Sequence, residues 1–288
     1  WKQKKLQKKL QKKLQKKLMQ ILQRKLKKQK KQNNQNYIQK GRQICQPLLV
    51  HTGELERMME FIQEINWSPL WISLKTGFVA TVIAFFLGIF CARKIMKLKP
   101  VSRAILDGIF TMPLVLPPTV AGFFLLLIFS LRRPFGKLLL ESFDFKVIQT
   151  WKGCVIAAAV IAFPLMYRNA RAAFEQVDVN LIYAGQTLGM SDRRIFWKVI
   201  VPAAAPGIAS GTVLAFARAI GEYGATSMLA GNILGKTRTV SVAIAAETAA
   251  GNYDVAGFWV VVIVLISFVI VALINIVSGR GMKSRRWI

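Results

Sequence analysis

Histidine is almost missing from this 288-residue chain, with His51 the only one. That excludes a His-built metal centre and a His-dependent nucleophile relay. Cysteine is scarce too. Cys45, Cys91 and Cys154 stand far apart with no paired spacing, so neither a metal motif nor a disulfide framework is read, and they are taken as ordinary thiols. Acidic residues number 13 against 41 Lys and Arg, a formal charge of +28. A phosphate-cradling G-x-x-x-x-G-K-[ST] run is also lacking. The nearest approach, GNILGKTRT with Gly231, Gly235, Lys236 and Thr237, has three residues between its glycines where four are needed. No nucleotide, metal or other cofactor site is therefore read on this chain.

What is present in quantity is apolar sequence, 53% of the chain. Such hydrophobicity and such charge coexist because the chain divides. Residues 1–58 carry 18 Lys and Arg and two Glu, opening on KKLQKKLQKKLQKKL. Leu6, Leu10, Leu14, Leu18, Leu22 and Leu26 recur every fourth position. A helix turns about 100° per residue, so this stripe drifts about 40° at each step and makes no coiled-coil seam. A membrane-surface helix, a nucleic-acid-binding arm and low-complexity sequence translated from upstream of a start at Met58 or Met59 all remain open. The last is the reading adopted: a non-native or disordered tail, 1–58, ahead of a membrane domain, 59–288.

Five stretches are long and apolar enough to cross a bilayer, which takes about 20 residues: Leu70–Cys91, Ala104–Ser130, Gly153–Tyr167 (extendable through Ala170 to Phe174), Ala203–Leu229 and Phe258–Val277. The fold class expected is all-α and polytopic, with no signal-peptide pattern. Lys and Arg number 14 in 93–103, 168–202 and 278–288, and seven in 131–152 and 230–257. The positive-inside bias then puts the first set in the cytoplasm, the C-terminus inside and the N-terminus outside. A tail of charge +16 would have to cross the membrane, which counts against its being native.

The segment AGQTLGMSDRRIFWKVIVP, 184–202, lies in the longest inner loop. Leu181, Ala184 and Leu188 fall on one face of a short helix. Gly189 permits a sharp turn. Ser191 is a candidate N-cap for a second short helix containing Ile195, Phe196 and Val199, which Pro202 ends. Two short helices held by a glycine make a knob; an interfacial helix on lipid headgroups is the alternative. The spacing resembles the cytoplasmic motif E-A-A-x3-G-x9-I-x-L-P of ABC importer permeases. Tyr183, Ala184 and Gly185 stand at its first three positions, then Gly189, then Val199, Ile200, Val201 and Pro202. Tyr183 for the acid, Gly185 for the second alanine and Val for Ile and Leu are departures. TMPLVLPPTVAGFFLL, FPLMYRNARAAFEQVD, GTVLAFARAIGEYGAT and GNILGKTRTV resemble the molybdate permeases, and the sulfate and thiosulfate permeases share much of the pattern.

The resemblance implies a non-catalytic permease subunit in a bacterial cytoplasmic membrane. Two copies would form one pathway. Separate ABC ATPase subunits using ATP would dock on the knob, and a periplasmic or lipid-anchored binding protein would deliver the oxyanion. Within the spans, Pro113, Pro117 and Pro118 interrupt the second, as a pathway-lining break or a buried kink. Arg218 and Glu222, four apart on one helix face, are a pathway element or an internal ion pair. Gly207, Gly211, Ala215 and Ala219 recur every fourth residue and permit close helix packing, with a homodimer contact as the alternative. The rivals are a sulfate, thiosulfate or tungstate permease of the same class, an intramembrane enzyme using Arg218 and Glu222, and a nucleic-acid-binding membrane protein using the tail. A chain begun at Met59 is expected to keep full activity; a loss would assign the tail a role.

Overall fold

The computed structural model describes residues 19, 25, 27–31, 63 and 65–282, with side chains as far as 272. The chain divides into two units, Trp1–Ile65 and Asn66–Ile288. In the first, residues 27–31 are helical and exposed. The leucine repeat, Cys45, His51, Met58 and Met59 lie outside the described residues.

The second unit consists of α1 (Ser68–Ile95), α2 (Pro100–Val115), α3 (Pro118–Phe129), α4 (Pro134–Phe143), α5 (Trp151–Glu175), α6 (Val179–Thr187), α7 (Asp192–Ile195), a π-helical turn (Phe196–Ile200), α8 (Val201–Ile220), α9 (Gly224–Ala230), α10 (Val240–Ala250) and α11 (Tyr253–Met282). Among the described residues, four continuous helical stretches are long and apolar enough to cross a membrane: 68–95, 151–175, 192–220 and 253–272. A fifth comes from α2 and α3 taken together. α1, with 28 residues, is about 42 Å long at 1.5 Å per residue.

Helices are the natural solution here because a bilayer offers no water to the backbone, so each N–H and C=O must be satisfied within its own segment. The helices then associate through small side chains. Ala80, Ala84 and Ala92 of α1, Ala158, Ala162, Ala170 and Ala173 of α5, and Ala204, Ala215 and Ala219 of α8 form one buried core. A Cβ built on Gly88 would come 2.8 Å from Met166 Cγ, one on Gly207 2.6 Å from Ala173 Cβ, and one on Gly211 2.6 Å from Asn169 Cβ. Such contacts bring backbones together where packing, rather than water exclusion, drives association. The four-residue spacing of Gly207, Gly211, Ala215 and Ala219 thus brings both glycines against α5 of the same chain. A second core forms where α3 and α9 meet α5: Ala121, Leu125, Ala157, Ile161, Ala225 and Leu229. Buried polar groups tie helices across these seams. Trp151 Nε1–H donates to Thr76 Oγ1 at 2.9 Å, and Val240 N–H donates to Ser73 Oγ at 2.7 Å.

The remaining faces are apolar and exposed, with Phe78, Phe86, Phe90, Phe123, Phe124, Val261 and Phe268 on them. Apolar surface on this scale belongs against lipid or another protein.

Two of the expected spans are not single helices. Ala104–Ser130 is cut at Leu116–Pro117, where α2 and α3 meet at 110°. Leu116 and Pro117 each precede a proline and take extended ψ values of 143° and 133°, as the proline ring demands of the residue before it. Ala203–Leu229 stops at Ile220; Gly221 and Glu222 turn the chain into α9. Gly207→Leu is expected to cost about 1–3 kcal/mol by overpacking. Gly108→Ala, where no atom lies within 4 Å of the added carbon, is expected to be neutral or to stabilise by about 0.5–1 kcal/mol. Thermal unfolding in detergent checks both.

Candidate functional site

The knob grows out of the end of α5. Asp178 caps α6 by accepting the Asn180 N–H at 2.9 Å. At the other end the Gly189 N–H donates to Gln186 C=O at 2.9 Å and the Met190 N–H to Gly185 C=O at 3.1 Å. These paired bonds terminate a helix through a left-handed residue, and Gly189 has φ +71°. Gly185 is buried against Ile195, whose Cγ1 would lie 3.1 Å from a Cβ there. This close approach accounts for glycine at the position where the motif has its second alanine.

α7 starts after Ser191. Ser191 holds the N-cap position in extended conformation, but its hydroxyl makes no capping bond. Its carbonyl instead accepts the Arg194 and Ile195 N–H groups at 2.8 and 2.9 Å. Pro202 does not end the second helix as expected. α7 passes through the π-helical turn into α8 without a break, and Pro202 lies in the first turn of α8. The Val201 N–H bonds to Phe196 C=O, five residues back. The widened turn just before the proline lets the helix continue past a residue with no N–H to give.

Side chains moor the knob to α1 and α5. Phe196 is buried, edge-on to Phe174 with ring centres 5.4 Å apart. The Arg93 guanidinium sits 4.0 Å from the Phe196 ring centre. Lys97 pairs with Asp192 at 3.3 Å, both well exposed. Between these ties lies a cleft of about 280 Å³. Val179, Leu181, Tyr183 and Leu188 of the knob are exposed, the last to 79%, as are Arg193 and Arg194. Ala184 is exposed, and Val199 and Val201 are partly buried.

Farther along, the proline break and the charged pair come together. Pro118 lies against Gly224, where a Cβ would be 3.0 Å from Pro118 Cβ. Glu222, two residues earlier, is buried. Its Oε1 accepts the Ala225 N–H at 2.8 Å, and its Oε2 lies 2.7 Å from Nη1 of the half-buried Arg218. The second contact is a charge contact without the alignment of a hydrogen bond, since Oε2 has no such partner. Glu222 thus both anchors the start of α9 and offsets Arg218. Pro113 lies inside α2 and lines an apolar groove with α1 and α5.

One charged cluster escaped the sequence reading. Asp107 on α2 accepts from the Tyr167 hydroxyl and from Arg171 Nη1 on α5. Glu175 accepts from Arg103 Nη2, and from Arg171 Nε at 3.0 Å. The signal was there: Asp107 and Arg171 are opposite charges inside two apolar stretches. Nothing in the order of residues pairs one with the other.

The solved structure of a bacterial ABC transporter that imports the acidic polysaccharide alginate has this fold, with TM-score 0.61 and 15% identity over 74% of this chain and 78% of that one. The chain belongs to the family of binding-protein-dependent transport system inner membrane components, whose model matches residues 84–280. It is a membrane transport subunit. It is 42% identical to the molybdenum transport system permease protein ModB of Escherichia coli K12 over 62% of this chain and 78% of that one. It is 29% identical to the sulfate transport system permease protein CysT of Salmonella typhimurium over 82% and 89%.

Glu222→Gln keeps an acceptor for the Ala225 N–H, whereas Glu222→Ala removes it. The alanine variant is therefore expected to be less stable than the glutamine variant by about 1 kcal/mol, the usual worth of a helix cap, read as thermal unfolding in detergent.

Proposed function

We propose that the chain is the permease subunit of an ATP-driven importer that carries molybdate across the bacterial cytoplasmic membrane. The observation that carries the cargo is the greater identity to a molybdenum permease, 42%, than to sulfate permeases, 29% and 34%. The knob supports the coupling role. It exposes Val179, Leu181, Tyr183 and Leu188 together with Arg193 and Arg194, an apolar and basic surface suited to a groove on a separate ATPase subunit. In this reading the knob and the C-terminus lie in the cytoplasm and the start of α1 outside, following the Lys and Arg bias.

Two copies enclose one pathway. A binding protein delivers the anion on the outer side. Closing of the ATPases on ATP draws the knobs together and opens the pathway outward, and hydrolysis resets it. The cofactor, ATP, belongs to the partner. Arg218, with its charge offset by Glu222, can attract an oxyanion near the Pro117–Pro118 break without holding it. A sulfate, thiosulfate or tungstate cargo is the second reading.

Cells carrying the chain with its ATPase and binding protein are expected to take up labelled molybdate, with tungstate competing and sulfate not. Equal competition by sulfate moves the cargo to the sulfate group. Gly189→Val, forced into a left-handed backbone at a cost of about 1–2 kcal/mol, is expected to lower both uptake and co-purification of the ATPase. Unchanged co-purification would put the docking face elsewhere.

A further inference from the structure

α2 carries the first half of the broken span, yet none of its 16 residues is buried. What fixes it is its foot. Asp107 accepts from Tyr167 and Arg171, Arg103 pairs with Glu175, and Arg171 Nε reaches Glu175 at 3.0 Å. Phe110 adds edge-on contacts to Tyr167 and Phe163, with ring centres 5.4 and 5.5 Å apart. Above the foot, α2 faces α1 and α5 across an apolar groove of about 390 Å³ lined by residues including Leu87, Cys91, Ile109, Pro113, Ile156 and Phe163. Apolar contacts are non-directional and let one helix slide past another. Charge-assisted hydrogen bonds, with a forked guanidinium between two carboxylates, fix both distance and orientation.

The position of this cluster matters as much as its strength. Glu175 is the last residue of α5, and Asp178, three residues on, caps the first helix of the knob. At the other end α2 runs directly to the Leu116–Pro117 break. The cluster's formal charges cancel, two guanidiniums against two carboxylates, so it is no anion cage.

We propose that Arg103, Asp107, Tyr167, Arg171 and Glu175 are positioning residues for transport. They lock α2 to α5 so that a displacement of the knob reaches the proline break instead of being absorbed in the apolar groove. The inference rests on the importer reading for its link to transport, but the lock itself does not depend on the cargo.

Two measurements on the full complex in liposomes separate these. Spin labels at the exposed Ile105 and Ala172, in a chain whose own cysteines are replaced by alanine, report the α2–α5 separation by electron paramagnetic resonance. Molybdate uptake per ATP hydrolysed reports coupling. Asp107→Asn and Arg171→Gln are expected to broaden the separation and to lower uptake per ATP about tenfold. The charge exchange, Asp107→Arg with Arg171→Asp, is expected to restore both at least in part. Tyr167→Phe, which keeps the ring and removes one hydrogen bond, is expected to lower uptake per ATP two- to threefold, and carries the test if the stronger variants do not assemble. A separation unchanged in every variant overturns the lock. Broadening with an unchanged uptake-to-hydrolysis ratio overturns its role in coupling. No molybdate uptake by the unsubstituted complex, with broadening in the variants, overturns the cargo reading and leaves the lock standing.

Discussion

The structure depends on how closely α5 can be approached. α1 and α8 reach it because glycine or alanine stands at the contact: Gly88 against Met166, Gly207 against Ala173, Gly211 against Asn169. In a bilayer no water is displaced when two helices meet, so surface complementarity supplies the association. α9 uses the same device against α3, where a Cβ on Gly122 would lie 2.6 Å from Ala225 Cα. A helix so enclosed makes a rigid axis, and α5 delivers the chain directly into the knob at its end.

Three irregular stretches of backbone are each satisfied locally. At the break between α2 and α3, the Pro117 carbonyl accepts the Val120 and Ala121 N–H groups at 2.9 and 3.2 Å. At the turn between α8 and α9, a buried carboxylate takes the Ala225 N–H. Before Pro202, a π-helical turn keeps the helix continuous. These interruptions give a bundle of helices its corners, and two of them, Pro118 and Gly224, touch. A buried Glu222 beside a half-buried Arg218 is costly unless both charges are compensated. The cap and the ion pair together supply that compensation.

The knob and the charged foot of α2 are two sides of one design. The knob is moored to α1 through Arg93, Phe196, Lys97 and Asp192. Through the end of α5 it is linked to α2 by four charges that cancel. Both moorings combine a directional contact with an aromatic one, so the knob is held to elements that line different parts of the bundle. The knob is thus tied to helices rather than hung from a loose loop.

Much of this was legible in the order of residues. Apolar runs of about 20 residues announced the spans, because a bilayer has a fixed thickness. Gly189 announced the turn of the knob, because few other residues accept its left-handed backbone. Pro117 and Pro118 announced a break, because proline cannot donate; Pro113, expected to interrupt the span as well, stays inside α2. What the order of residues could not decide was pairing and continuity. That Asp107 meets Arg171 and Tyr167 is settled by the register of α2 against α5, 60 residues apart at the closest pair. That Pro202 sits inside a continuous helix follows from a widened turn that begins at Phe196, a residue packed against Arg93 and Phe174. Local backbone preferences are written in neighbouring residues. Contacts between distant residues are decided only when helices pack, because the same side chain can meet any partner its register places opposite.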